Sequence, residues 1–157
     1  MFEIPREYRQ RVFRSKKRIT LSDLKSPAYL QVELDGYLAA QIRVDGNLPI
    51  EGKKCDWALE MLKEKHGRTK KEESRTPKIY LLVELKGQKF SDALEQLQAT
   101  MQWLRDNIDS CTFHSVHTVL TRQSPKIHTK VINAQALLKK QNILLYPHSP
   151  GEVFIVK

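Results

Sequence analysis

Three side chains in this sequence could do chemistry together: Asp56, Glu84 and Lys86. Glu84 and Lys86 close the stretch Ile79-Tyr80-Leu81-Leu82-Val83-Glu84-Leu85-Lys86-Gly87, which begins as a continuous apolar run. Such a run reads as a strand buried on both faces. Alternation puts Glu84 and Lys86 on one face and Leu85 on the other. A carboxylate and an ammonium at the end of a buried strand are costly unless they pair or bind something. A salt-bridged strand end is the plain explanation of the pair. The chemical one is a metal site facing a phosphate, and it needs a second acid. Asp56 supplies one, on the strand expected over residues 54–61. If these consecutive strands are neighbours, both carboxylates approach one point at a sheet edge. They would repel there unless a cation lay between them. Hard oxygen donors suit Mg²⁺ or Mn²⁺, with the Leu85 backbone carbonyl as a further ligand. Lys86 could then orient a metal-bound water, help deprotonate it, or offset phosphate charge.

The bulk of the chain is compatible with that chemistry. Its 157 residues can bury a real core, and one domain over residues 1–157 is expected. A net charge of +9 favours polyanionic partners, nucleic acid first. No run approaches the ~18 apolar residues of a membrane span. The N-terminus has no apolar signal region, and Cys55 and Cys111 have no framework or metal spacing. A cytoplasmic protein with reduced thiols is therefore expected.

Several elements must position the three side chains. Residues 5–17 read as one or two helical turns, or else as a solvated basic arm, with Tyr8 and Val12 sharing a face. Tyr29–Leu34 and Tyr37–Val44 read as strands joined by the hairpin signal Asp35-Gly36. Residues 62–78 read as a mobile basic loop. Phe90, Ala93, Leu94, Leu97, Met101 and Leu104 recur at helical spacing, with Ser91 or Gln88 as cap. Residues 112–121 read as a strand. Residues 131–141 read as a helix with Ile132, Ala136 and Leu137 on its apolar face. Residues 143–146 and 153–156 read as short strands. Cys111, His114 and His117 are not expected to share a metal, since an odd separation puts the two histidines on opposite strand faces.

Asp56, then Glu84-x-Lys86 closing the next buried strand, then an amphipathic helix, resembles the PD-(D/E)xK nuclease superfamily. The resemblance covers residues 29–121. It implies an α/β, restriction-endonuclease-like mixed β-sheet flanked by helices, in the order strand, strand with Asp, strand with (D/E)xK, helix, strand. RecB-like members carry QLxxYxxxL on that helix; this chain matches at Gln96, Leu97 and Leu104, with Thr100 in place of the tyrosine. Cys55 stands where the family has proline, and Glu3 and Glu7 are the candidates for an acid on a first helix.

The resemblance implies a metal-dependent nuclease, endo- or exonucleolytic, acting on DNA before RNA. Asp56, Glu84 and the Leu85 carbonyl would hold Mg²⁺ or Mn²⁺, Lys86 would assist the water, and Gln96 would support the site. Arg14, Lys16, Lys17, Arg18, Lys53, Lys54, Arg68, Lys70 and Lys71 are the expected nucleic-acid contacts. A homodimer is allowed, and no membrane is involved. The competing expectation is a non-catalytic nucleic-acid-binding or protein-interaction module on the same fold. Binding alone would not need the intact Asp, Glu and Lys set.

Overall fold

The computed structural model describes residues 2–23, 26–64, 77–85, 89–122 and 124–157. Its centre is the apolar run: β6 (Ile79–Glu84) lies inside a six-stranded mixed sheet, and Tyr80 to Val83 are wholly buried. The other strands of this sheet are β1 (Arg9–Phe13), β4 (Tyr37–Arg43), β5 (Trp57–Lys63), β7 (Thr112–Val119) and β8 (Leu144–His148). The order is β1-β4-β5-β6-β7-β8. Strands β1, β4, β5 and β6 run antiparallel to their neighbours, whereas β6, β7 and β8 are parallel. Parallel strands need crossovers. Helix α1 (Phe90–Asn107) makes the first and helix α2 (Pro125–Lys139) the second.

Both helices pack on one face of the sheet, where Ala58, Tyr80, Leu82, Phe90, Leu97, Leu104, Val116, Val131 and Leu138 form one core. The opposite face is covered by a second, three-stranded sheet in the order β2-β3-β9, from β2 (Arg18–Asp23), β3 (Ser26–Leu34) and β9 (Val153–Val156). Ile19, Leu30, Val32, Trp57, Leu59, Leu81 and Val83 fill the space between the sheets. The α/β class with a mixed sheet is as expected, but among the described residues the helices flank only one face.

Three expectations are corrected. Residues 6–8 form a single 3₁₀ turn and residues 9–13 are β1, so no first helix precedes the strands, and Glu3 and Glu7 are exposed. The four-residue spacing of Tyr8 and Val12 gives way to edge pairing with β4, held by Arg9, which bonds Glu60 at 3.0 Å and the Ile4 carbonyl at 2.8 Å. Asp35-Gly36 is not a hairpin turn: β3 and β4 belong to different sheets. The apolar faces of both strands (Leu30, Val32 and Leu34; Tyr37 and Ala39) enter the same intersheet core, so the chain turns a corner between layers. Gly36, at φ +77, makes that corner, with its N–H donating to Ser15 Oγ at 2.8 Å. In α2, Ile132, Ala136 and Leu137 face outward, and Val131, Ala134 and Leu138 are buried. The helix begins six residues earlier than expected, at Pro125 with Ser124 as N-cap, and its buried stripe continues from Ile127. The basic loop lies largely outside the described residues, and β5 extends through Lys63 at its start.

A second glycine is also fixed by its surroundings. Gly151 sits at φ +83 before β9, and a Cβ there would lie 2.8 Å from the Tyr29 hydroxyl. Gly151→Ala is expected to destabilise the fold by about 1–2 kcal/mol, mainly through backbone strain. Urea unfolding would show this as a lower midpoint with an unchanged slope.

Candidate active site

The register of β5 on β6 runs Trp57 with Val83, Ala58 with Leu82 and Glu60 with Tyr80. Continued by one residue, it sets Asp56 opposite Glu84. Ala58 and Leu82, two residues inward, belong to the helix-side core, so both acids occupy that face. Both are buried, Asp56 at 5% and Glu84 at 1% exposure. Asp56 Oδ2 accepts the Leu85 N–H at 2.9 Å, which ties the first acid to the backbone just after the second. The Asp56 carbonyl accepts from Val44 N at 2.9 Å. Leu85, fully buried, belongs to the intersheet core on the other face.

Helix α1 locks this corner. Thr100, fully buried, accepts the Cys55 N–H at 2.9 Å and donates to the Gln96 carbonyl at 2.9 Å. The residue standing where the resemblance has tyrosine thus holds the backbone immediately before Asp56. Gln96 is half-buried on the same helix. Burial pushes the Cys55 thiol far above its ordinary pKa, and the Glu84 and Asp56 carboxylates add to that shift. Lys86 lies outside the described residues.

The donor set fits a magnesium-type ion. Mg²⁺ takes one or two carboxylates and completes its shell with waters and phosphate oxygens. No group of three or more His, Cys, Asp or Glu ligands forms a metal cage among the described residues. Asp56, Glu84 and the Leu85 carbonyl would supply the protein's share.

The site lies at the edge where β6 and β7 end and where α1 and α2 begin. Lys53 and Lys54 are at this edge; Lys53 is ion-paired with Glu95, and Lys54 Nζ donates to the Ile50 carbonyl at 2.9 Å. Lys89, Arg122 and Lys126 are exposed here too. They are not among the contacts expected from the sequence, although their positions after the carboxyl ends of two parallel strands were the available signal. The remaining expected contacts are elsewhere. Arg14, Lys16 and Lys17 form the β1–β2 turn, and Lys63 ends β5, all at the far edge of the sheet. Seven residues of β5 separate the two edges, about 20 Å at 3.3 Å per residue. Arg18 bonds Glu33 at 3.4 Å on the small sheet. Arg68, Lys70 and Lys71 lie outside the described residues.

A second polar cluster sits between the two sheets. A register shift in β7 places Tyr80 beside Phe113 and Leu81 beside Ser115, leaving His114 as an extra residue. This bulge cancels the odd separation of the histidines. His114 Nδ1 lies 2.8 Å and His117 Nε2 2.7 Å from the same Ser115 Oγ. His117 Nδ1 meets His148 Nε2 at 2.8 Å, and His148 Nδ1 meets Glu152 Oε2 at 2.9 Å. With Glu152 as a carboxylate, every proton in the chain points toward it: His114 to Ser115, Ser115 to His117, His117 to His148, His148 to Glu152. Burial lowers the proton affinity of all three histidines, most strongly at His117, where His148 and His114 lower it further. The ring nitrogens meet in sequence rather than at one point, which is a hydrogen-bond relay and not a metal seat.

Comparison of the chain with protein-family models, with curated proteins and with solved structures found no match.

Proposed function

We propose that this chain is a Mg²⁺- or Mn²⁺-dependent nuclease that hydrolyses phosphodiester bonds, DNA before RNA, on a restriction-endonuclease-like core. The observation that carries the reading is the buried pair Asp56 and Glu84, opposed on neighbouring strands at the edge where both helices begin. The order of elements supports it as well: β4, Asp56 leading β5, Glu84 closing β6, α1, then β7 parallel to β6. Asp56, Glu84 and the Leu85 carbonyl would hold the ion, which when bound would polarise the phosphate and lower the pKa of its water. The Leu85 N–H fixes one oxygen of Asp56, and the other would be offered to the ion. Thr100 holds the Cys55 backbone, so the first acid cannot drift from the second. Lys86 would orient the attacking water, and Gln96 would support the site from α1. Exposed Lys89, Arg122 and Lys126 would draw the phosphate chain to this edge.

A non-catalytic nucleic-acid-binding module is the second reading. The far-edge cluster of Arg14, Lys16, Lys17 and Lys63 favours it, since those cations are about 20 Å from the acids. One pair of assays separates the two. Labelled duplex and single strands are titrated across salt concentrations, and log affinity is expected to fall by roughly 0.9 per duplex phosphate contacted for each unit of log salt. Supercoiled plasmid is then incubated with Mg²⁺, Mn²⁺ or chelator, and nicking with either metal alone is expected. Binding without nicking under any metal would favour the module, and no binding at low salt would remove both readings.

A further inference from the structure

The row of buried polar groups does not stop at Glu84. On the far side of β6, the parallel register sets Thr118 of β7 directly beside Glu84. Its neighbours on that strand face, Val116 and Leu120, belong to the helix-side core, as do Ala58 and Leu82 beside the two acids. Asp56, Glu84 and Thr118 therefore form one row across three adjacent strands, on one face and at one edge. Thr118 is wholly buried, and its hydroxyl finds no hydrogen-bond partner among the described residues. A hydroxyl left so is costly, and buried polar groups nearly always have a partner. Nothing in the packing requires it, because valine would fill the same shape without the cost. On the β8 side of Thr118, away from Glu84, a partly open pocket of about 50 Å³ is lined by Leu120, Ser124, Ile127, His128, Val131 and Pro147; the three residues of the row do not line it.

We propose that Thr118 is the third side chain of the site, beside the two acids and the Leu85 carbonyl, and that its hydroxyl holds a water of the divalent cation seated by Asp56 and Glu84. This rests on the metal-site reading above and adds a residue to it. A hydroxyl is a hard, neutral donor, so it adds a ligand or an orienting hydrogen bond without adding to the repulsion between the acids. Thr118 is thereby a positioning residue.

The test uses Mn²⁺ alone as probe, with the full chain and no nucleic acid. Binding is followed by the loss of the free-ion paramagnetic signal for wild type, Thr118→Val, Thr118→Ser and Glu84→Ala. Thr118→Val is expected to weaken Mn²⁺ about fivefold, the scale of one hydrogen bond, and Thr118→Ser to restore it. Without metal, Thr118→Val is expected to melt at the same temperature as wild type or higher, since it removes a buried polar group. Wild-type affinity in Thr118→Val, alongside lost affinity in Glu84→Ala, would overturn the role of Thr118 and leave the two-acid site standing. A lower melting temperature in metal-free Thr118→Val would mean that the hydroxyl is bonded within the fold, and would also overturn it. Absence of Mn²⁺ binding in the wild type would remove the site itself.

Discussion

Glu84→Ala is expected to lose metal-dependent nicking by about 10²-fold or more while keeping its affinity for nucleic acid. The two properties draw on different groups. On the nuclease reading, affinity would come from cations spread over both edges of the sheet, and removing one acid would take none of them away. Its loss reduces repulsion toward phosphate, so binding holds or tightens. Catalysis would depend on one ion and one water, through transition-state stabilisation that ground-state binding does not use. Lys86→Ala is expected to behave the same way. Glu84→Gln serves as the companion, because it keeps the size of a side chain that is only 1% exposed and removes its charge. Plasmid nicking and strand cleavage would be measured with each metal and with chelator, all proteins prepared in parallel. Wild-type activity in Glu84→Ala would place the chemistry elsewhere or in a contaminant.

The second large effect is on stability against pH. His114, His117 and His148 have their proton affinities lowered by burial, His117 most of all. The groups facing the relay are Glu152 from the turn before β9, Tyr146 and His148 from β8, Tyr37 from β4, and Phe154 from β9. An unfolded chain takes up protons near the ordinary imidazole pKa, about 6.5, and the folded chain only below that. The unfolded state therefore binds more protons in the window beneath about pH 6.5. Stability is complete above that window and falls as pH drops through it toward the folded values. Each histidine that charges only on unfolding contributes a slope of about 1.4 kcal/mol per pH unit. Proton count explains why the folded state resists. In the relay each interior nitrogen either gives or accepts, and an added proton on His117 Nε2 would force the Ser115 hydroxyl to accept there and turn its own proton away. Urea unfolding at about pH 7.5 and about pH 5.5 measures the slope, with His117→Leu expected to be less stable at the higher pH and less steep between the two. Equal wild-type stability at both pH values would show that the relay does not bear on folding.

The parts of the fold that could be read from the chain were those whose signal is local. The apolar run of β6 has no other comfortable home than a buried strand, and the spacing of Phe90, Ala93, Leu97, Met101 and Leu104 fits only a helix. The approach of Asp56 to Glu84 followed from two consecutive strands becoming neighbours. What could not be read depended on distant partners. Asp35-Gly36 has the composition of a hairpin, and only the intersheet core decides that it turns a corner instead. The bulge at His114 leaves no mark in composition, yet it reverses which face each later residue of β7 occupies. The same displacement brings Thr118 beside Glu84. The buried stripe of α2 is set by a helix that starts at Pro125 and not at residue 131, and a Ser-Pro pair has the composition of a turn as much as of a helix start.

The parallel pairing of β3 with β9 joins Gln31 to Val153 and Leu34 to Val156, partners more than a hundred positions apart. A ribosome releases the first of each pair on the order of ten seconds before the second. Over that interval Leu30, Val32 and Leu34 are already synthesised, but the small sheet lacks a strand. The large sheet has no such delay, since β4, β5 and β6 pair with their sequence neighbours. Nascent chains should therefore acquire the edge bearing Asp56 and Glu84 before the layer behind it is sealed. The histidine relay, which needs His148 and Glu152, is among the last contacts to be made.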